Sequence, residues 1–301
     1  MRNQIHTKQN HMKREGTAYG IFLMILSVIA FGIMATLVRS MSHVSTYITV
    51  FVRFAIGVGI IGILAMMRKI DLKFVRSPLL LLRGITGTAS VALFYLAIVK
   101  IGMGKASVYS YSYPLFASLL SAIVLKEKIQ ASKWLMMFVA LIGIVLVSFQ
   151  FTETGKSWSF GWFDFLAMLS AITNAVSILI VKKLHGTDNS YAIFFAQSIV
   201  GFWIFLVPAN LPELTGPITS SYILIFIGLA SACAQLLNTE GYRHVSIATG
   251  SPFHMLIPIV NVIIGVFVFN EVFTTQEIIG SSLVVVACLG ILRLNGQAKH
   301  A

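Results

Sequence analysis

The sequence predicts an all-α membrane protein of ten transmembrane helices, built as two inverted five-helix repeats. Three observations carry this. Of 301 residues, 57% are hydrophobic and only 11% are charged, where a soluble domain carries roughly 25%. Ten apolar stretches alternate with short polar connections, and the basic residues sort strongly to one side of them. The chain also matches itself at a shift of 144 residues.

So little polar surface cannot cover a water-soluble globule of this length, whereas lipid-facing side chains need not be polar. The formal net charge is +12. Its Lys and Arg residues sit between apolar runs and no basic stretch is interleaved with exposed aromatics, so the charge reads as membrane topology and nucleic acid is not a partner. Cys233 and Cys288 both lie inside apolar runs, read as small buried hydrophobes, and form neither a disulfide framework nor a CxxC metal pattern. No cofactor and no metal site is expected. The polar, basic segment from Met1 to Gly16 precedes an apolar run without a small-residue cleavage signal, so that run reads as a retained first helix.

A span needs about 20 mostly apolar residues to cross roughly 30 Å of hydrocarbon. The stretches that qualify run about 17–38, 45–67, 78–99, 106–125, 133–150, 160–181, 190–208, 219–241, 247–269 and 276–293. Pro212 and Pro217 bracket one loop and Gly155 to Ser159 forms another. With the N-terminus in the cytoplasm, sixteen Lys and Arg face the cytoplasm and four face outward, while Arg53 and Arg83 lie within spans. Such a bias places both termini inside.

At the 144-residue shift Tyr47 falls on Tyr191, Gly84 on Gly228, Leu93 on Leu237, Ser107 on Ser251, Pro114 on Pro258 and Glu127 on Glu271. Five helices per copy is odd, so the second copy enters the membrane upside down. Inverted repeats characterise secondary transporters, whose site lies near the bilayer midplane where the halves meet.

Three features carry a family resemblance. They are Phe51-Val52-Arg53-Phe54, the run Leu82-Arg83-Gly84 followed by Phe94-Tyr95-Leu96-Ala97, and the twin prolines 114 and 258 followed by Leu125-Lys126-Glu127 and Phe269-Asn270-Glu271. The chain resembles EamA-type members of the drug/metabolite transporter superfamily. The resemblance implies a small cytoplasmic tail (1–16), a first EamA-like repeat (17–150), an inverted second one (160–294) and a cytoplasmic tail (295–301). It also implies a central cavity lined by both halves and a prokaryotic cytoplasmic, or inner, membrane. Substrates across the superfamily include amino acids, nucleotide-related compounds, choline-like cations and drugs. The second copy departs from the pattern where Tyr95-Leu96-Ala97 is answered by Thr239-Glu240-Gly241.

Ionisable groups in hydrocarbon cost at least about 2.5 kcal/mol each at a helix centre, so those within spans are site candidates. Arg53 reads as a cation for an anionic substrate group, or as a structural arginine on helix-end carbonyls. Arg83, near the cytoplasmic end, is expected to snorkel to the headgroups. Glu240 reads as a counter-ion for a cationic substrate or a proton carrier, or as an i,i+3 partner of Arg243. His254 reads as a proton-coupling group or a buried histidine on a neighbouring carbonyl. Tyr109 and Tyr113 share a helical face, with Tyr111 elsewhere, and either stack on a planar or cationic substrate or anchor at the interface. Tyr95 joins them through the family pattern. Asn174, Gln197 and Asn238 face the cavity or bond between helices, as do Gln235 and Asn261; Gln197 is the repeat mate of Arg53. Asp164 reads as a solvated acid at the outer mouth, and Pro114 and Pro258 as loosened points suited to gating.

The function that follows is a secondary transporter working by alternating access. It would move an amino acid or related zwitterion or cation, with protons as the candidate coupling ion; the sequence leaves import or export and the oligomeric state open. No GxxxxGK[ST] loop is present for ATP. A membrane receptor or scaffold is the alternative, and an intramembrane enzyme a remoter one, because no nucleophile-base pair, carboxylate dyad or HExxH occurs.

Overall fold

The fold is described from a computed structural model covering residues 2–72, 78–113, 115–117, 119–120, 131–152, 155–158, 160–211, 221–244, 253–254 and 256–297. The side chains of 2–17, 133, 148–152, 155–158, 221, 288 and 291–297 are not described. In chain order the helices are α1 (Arg2–Ser40), α2 (Thr46–Met66), α3 (Pro78–Ile101), α4 (Met103–Ser110), α5 (Ala131–Ser148), α6 (Trp162–Leu184), α7 (Ser190–Ala209), α8 (Ser221–His244), α9 (Leu256–Phe269) and α10 (Thr275–Gln297). A hairpin of β1 (Phe149–Thr152) and β2 (Gly155–Trp158) joins α5 to α6.

Among the described residues, six segments are long and apolar enough to cross a bilayer: Ala18–Ser40, Thr46–Met66, Pro78–Ile101, Trp162–Leu184, Ser190–Ala209 and Tyr222–His244. Trp134–Val147, Leu256–Phe269 and Thr275–Ala287 are shorter apolar helices. The chain is a multi-pass α-helical membrane protein. In hydrocarbon a helix satisfies its own backbone, and only its first N–H and last C=O groups need outside partners. Side chains meet several of these. Ser45 Oγ accepts from Tyr47 N, Asn189 Oδ1 from Ala192 N at 2.8 Å, and Asp164 from Gly161 N at 2.8 Å. At the start of α10, Thr274 and Glu277 cap each other reciprocally.

The helices pack in pairs that exchange under the 144-residue register. α1 lies against α8 and α6 against α3; α2 lies against α8 and α7 against α3. The pairs α2–α7, α4–α9 and α5–α10 map onto themselves. At the α5–α10 crossing the two backbones come close. A Cβ on Gly143 would stand 2.6 Å from the carbonyl oxygen of Gly280, and one on Gly280 would stand 2.7 Å from that of Gly143. Small residues let membrane helices approach this closely, where van der Waals contact replaces the hydrophobic drive. The far face of α5 exposes Trp134, Leu135, Phe138 and Leu141, as a lipid-facing surface does.

Several elements differ from expectation. Helix α1 begins at Arg2 rather than near 17, so the polar segment continues the first span as helix. The connection around Gly155 is a paired hairpin, Phe149 opposite Trp158 and Thr152 opposite Gly155; the alternation Phe-Gln-Phe-Thr has the period of a strand. Cys233 is a free thiol on the exposed surface, not a buried one. Helix α4 ends at Ser110, and Tyr111 and Ser112 form a turn. The sequence places Pro114 four residues after Ser110, and a proline has no N–H to return to the preceding turn. Pro258 lies within the described residues of α9. Pro114, Glu127, Pro212 and Pro217 lie outside the described residues.

Replacing Gly143 or Gly280 by Val forces the α5–α10 backbones apart. We expect a loss of about 1–3 kcal/mol, the usual cost of overpacking, read as a lowered Tm in detergent. Gly59, with open space around its Cβ position, tolerates Ala without such a loss.

Candidate functional site

Inside this apolar bundle lies a cavity of about 90 Å³ lined mostly by polar residues. It is lined along α3 from Arg83 through Ser90 to Phe94, along α6 from Ser170 through Asn174 to Val181, and along α8 from Gln235 to Tyr242. Phe31 and Met34 of α1, Arg53 of α2, and Ser110, Tyr111, Tyr113 and His254 complete it. The N-terminal part of α3 and the C-terminal parts of α6 and α8 share one end of the bundle, the end that carries Arg243. The cavity therefore lies toward that end.

Arg53 is 6% exposed. Its Nη1 donates to Tyr95 Oη at 3.0 Å and contacts Met34 Sδ at 3.5 Å. The guanidinium stands 5.4 Å from the Tyr95 ring centroid and 5.7 Å from that of Phe54. Tyr95 is held in turn by Ser231 Oγ at 2.8 Å. Arg83 is 4% exposed and donates to Ser177 Oγ, while its Nε has no partner. Room for it comes from Gly87, one turn along, where a Cβ would collide with the Arg83 guanidinium and the Gln197 amide.

His254, 3% exposed, has Nδ1 within 3.3 Å of Tyr113 Oη and 3.2 Å of Tyr242 Oη, and its Nε2 is buried without a partner. Asn238 Oδ1 is likewise unpartnered. Hydroxyls bridge the halves: Ser170 Oγ donates to Ser110 Oγ at 2.6 Å, and Ser90 Oγ to the Ser170 carbonyl at 3.1 Å. The ring of Tyr111 stands edge-on to Phe94 at 5.7 Å.

The opposite end is tied by charge. Glu271, just past α9, pairs with Arg39 of α1 at 3.1 Å and accepts from Met103 N at 2.8 Å and Gly104 N at 3.1 Å, the first turn of α4. A carboxylate is favoured at a helix N-terminus. Arg39 also donates to the Ile98 and Val99 carbonyls, both at 3.2 Å, at the end of α3. Gly102 permits the approach: its φ is +88°, and a Cβ there would stand 2.8 Å from Glu271 Oε1. Beside this knot Lys105 of α4 pairs with Asp164 of α6 at 3.4 Å.

Of the residues expected at the site, Arg53, Tyr113, Asn174, Asn238 and His254 line the cavity. Tyr95 does not; it stands behind Arg53 and positions it. Tyr109 packs edge-on to Phe160 at 6.3 Å, and Gln197 is buried beside Arg83. Glu240 is outside: it lies at the Arg243 end, 30% exposed, pairing with Arg243 at 3.6 Å and His244 at 3.0 Å. Arg83 is a lining residue and does not snorkel, because α3 packs against α6 and α7 at that depth. Asp164 is 4% exposed and paired, not solvated. Tyr111 reaches the lining because α4 stops one residue earlier, which shifts its phase away from the helical one; the nearby proline was the signal in the sequence.

The sequence profile of the EamA-like transporter family matches residues 18–149 and again 161–293. The pseudopaline exporter CntI of Pseudomonas aeruginosa is 26% identical over 283 residues, 91% of this chain and 96% of that protein. An uncharacterized transporter of Archaeoglobus fulgidus is 26% identical over 277 residues, 90% of this chain and 98% of that one. An S-adenosylmethionine uptake transporter of Rickettsia bellii is 24% identical over 187 residues, 62% of each chain. A solved crystal structure superposes with a TM-score of 0.60 at 14% identity, over 96% of this chain and 99% of that chain, which is a likeness of fold.

Tyr95→Phe strips the hydroxyl that links Arg53 to Ser231. A buried donor left unmatched costs about 1–3 kcal/mol. We expect a fall in thermal stability of that order, absent from Tyr222→Phe on the exposed face of α8, in parallel melts of the purified proteins.

Proposed function

This chain belongs to the EamA-like transporter family, a family of transporters and not of enzymes, and from that premise we propose that it moves a small polar organic solute across the cytoplasmic membrane by alternating access. The observation that carries the mechanism is a polar cavity near one end of an apolar bundle whose other end is closed by ion pairs between the halves. Opening toward the closed end requires Glu271 to leave Arg39 and the first turn of α4.

Ten spans in two inverted five-helix repeats, with both termini in the cytoplasm, complete the proposal. The exchange of packing partners under the 144-residue register supports the repeats. So do four pairs of lining residues in that register: Met34 and Ile178, Val91 and Gln235, Phe94 and Asn238, and Ser110 and His254. The sixteen-to-four sorting of Lys and Arg supports the orientation, with the Arg243 end inside and the Arg39 end outside. Two relatives are named for opposite directions, an exporter and an uptake transporter, so direction rests on the gradient supplied. Coupling to protons is assigned to His254, whose imidazole is in the cavity, and not to Glu240, which is outside it.

The test is reconstitution in liposomes with labelled amino acids, organic anions, nucleotide derivatives and quaternary amines, in both directions, with and without a pH gradient. At least one compound should move saturably, and His254→Asn should remove dependence on the gradient while leaving exchange intact. Failure of every compound to move in either direction sinks the transport reading. The closed end has its own measurement. In protein with Cys233 and Cys288 changed to Ala, Ser110→Cys should react slowly with an impermeant maleimide added outside intact cells. Adding Glu271→Gln should raise that rate at least severalfold. An unchanged rate removes the Arg39–Glu271 knot from the gating step.

A further inference from the structure

We infer that the transported solute carries an anionic group, a carboxylate or a phosphate, held by Arg53 and Arg83. This inference rests on the transport reading above and names the substrate class of the same cavity.

The argument begins with what each buried charge has for a partner. Among the described residues, every carboxylate drawn into the bundle is matched. Asp164 has Lys105, Glu271 has Arg39, Glu277 has the start of α10, Asp188 accepts from the Thr187 hydroxyl at 2.6 Å, and Glu240 has Arg243 and His244 at the bundle end. Arg53 and Arg83 have no carboxylate. They meet a phenol, a thioether and a serine hydroxyl, and Arg83 Nε meets nothing. Both line one cavity.

Two like charges out of water without a counter-ion are costly, several kcal/mol per ion after relaxation. Rings and hydroxyls meet only part of that. A guanidinium offers five N–H donors in a planar fork that fits a carboxylate or phosphate in two bonds. An anion entering this cavity gains those donors in a place where water competes poorly. A cation entering it meets two guanidiniums and no described acid.

The unpartnered atoms of the lining agree. Two phenols approach His254 Nδ1. A hydroxyl that donates there leaves the ring proton on Nε2, a buried donor with no acceptor. Asn238 Oδ1 is a buried acceptor with no donor, suited to an N–H or O–H elsewhere on the same solute. The ligand is thus an organic anion with at least one hydrogen-bond donor.

The test uses purified protein, in detergent for thermal shift and in liposomes for saturable uptake. The probes are malate, leucine, leucinamide, glycerol 3-phosphate and choline. We expect an anion-bearing probe to raise Tm and to be transported, with leucinamide and choline doing neither. Malate or leucine against glycerol 3-phosphate separates carboxylate from phosphate. Arg53→Lys and Arg83→Lys should each raise KM at least tenfold, while Arg243→Gln, at the exposed bundle end, should not. Should either arginine variant fail to fold, the wild-type preference decides alone. Saturable transport of choline or leucinamide at the expense of the anions overturns the inference and leaves the transporter standing. If no probe binds or moves in either direction, both fall together.

Discussion

A charge taken out of water into this bundle has to be answered by another group, and how each is answered sorts the molecule into parts. Removing one partner of a buried ion pair costs about 3–5 kcal/mol, whereas an exposed pair is worth about 0–1 kcal/mol. Arg243 with Glu240 is of the second kind, at the wet end of α8. Arg39 with Glu271 and Lys105 with Asp164 are toward the first, since each acid is almost wholly enclosed. Both bridge segments matched separately by the family profile, so they act on how the halves meet and not on the folding of either one. Arg53 and Arg83 are of neither kind, and that difference marks the cavity.

Under the alternating access proposed above, the same constraint lets a pair hold an end shut and still release it. Glu271 is shared among a guanidinium and two backbone N–H groups of α4, and Arg39 among that carboxylate and two carbonyls of α3. Every one of these partners is a helix terminus, where orphan groups take water as readily as a side chain. Opening therefore exchanges protein partners for solvent without stranding a polar group in hydrocarbon. Were the knot placed mid-span, no water would replace the lost bonds and the closed end could not open at reasonable cost. Gly102 belongs to this device, since its backbone conformation and lack of Cβ bring the start of α4 onto the carboxylate.

Much of this was legible in the sequence. Membrane burial followed from composition, and most helix positions followed from apolar runs. Arg53, Asn174 and His254 stand out in the sequence because a polar group in a span has to be explained. What was not legible depended on phase and partner. Arg83 is as close to a helix end as a snorkelling arginine, and only the packing of α6 and α7 over it keeps it inside. Glu240 sits at a depth compatible with a cavity, and only the face it occupies, shared with Arg243 and His244, removes it. Tyr109 and Tyr113, which helical periodicity puts on one face, part company because the helix gives way to a turn after Ser110, and Tyr113 lines the cavity with Tyr111 while Tyr109 does not. Asp164 reads as wet in the sequence for want of Lys105, which lies far from it along the chain. In each case the residue type was informative and its partner lay on another helix.

The lining also separates two demands on one backbone. Exchange between two arrangements needs the halves to be alike in shape, and their packing pairs are alike. Recognition of an asymmetric solute needs them to be unlike in chemistry, and the lining pairs in register are unlike: Val91 answers Gln235, Phe94 answers Asn238, Ser110 answers His254. The first half contributes both guanidiniums and the second contributes the amides and the imidazole. Arg53 itself is answered by Gln197, which is buried beside Arg83 and so reaches the site through the other arginine. Charge thus collects on one side of the cavity and neutral hydrogen bonding on the other. A solute with an anionic end and a donor end would be oriented by that division whichever end of the bundle is open, so one set of side chains can serve both faces of the membrane.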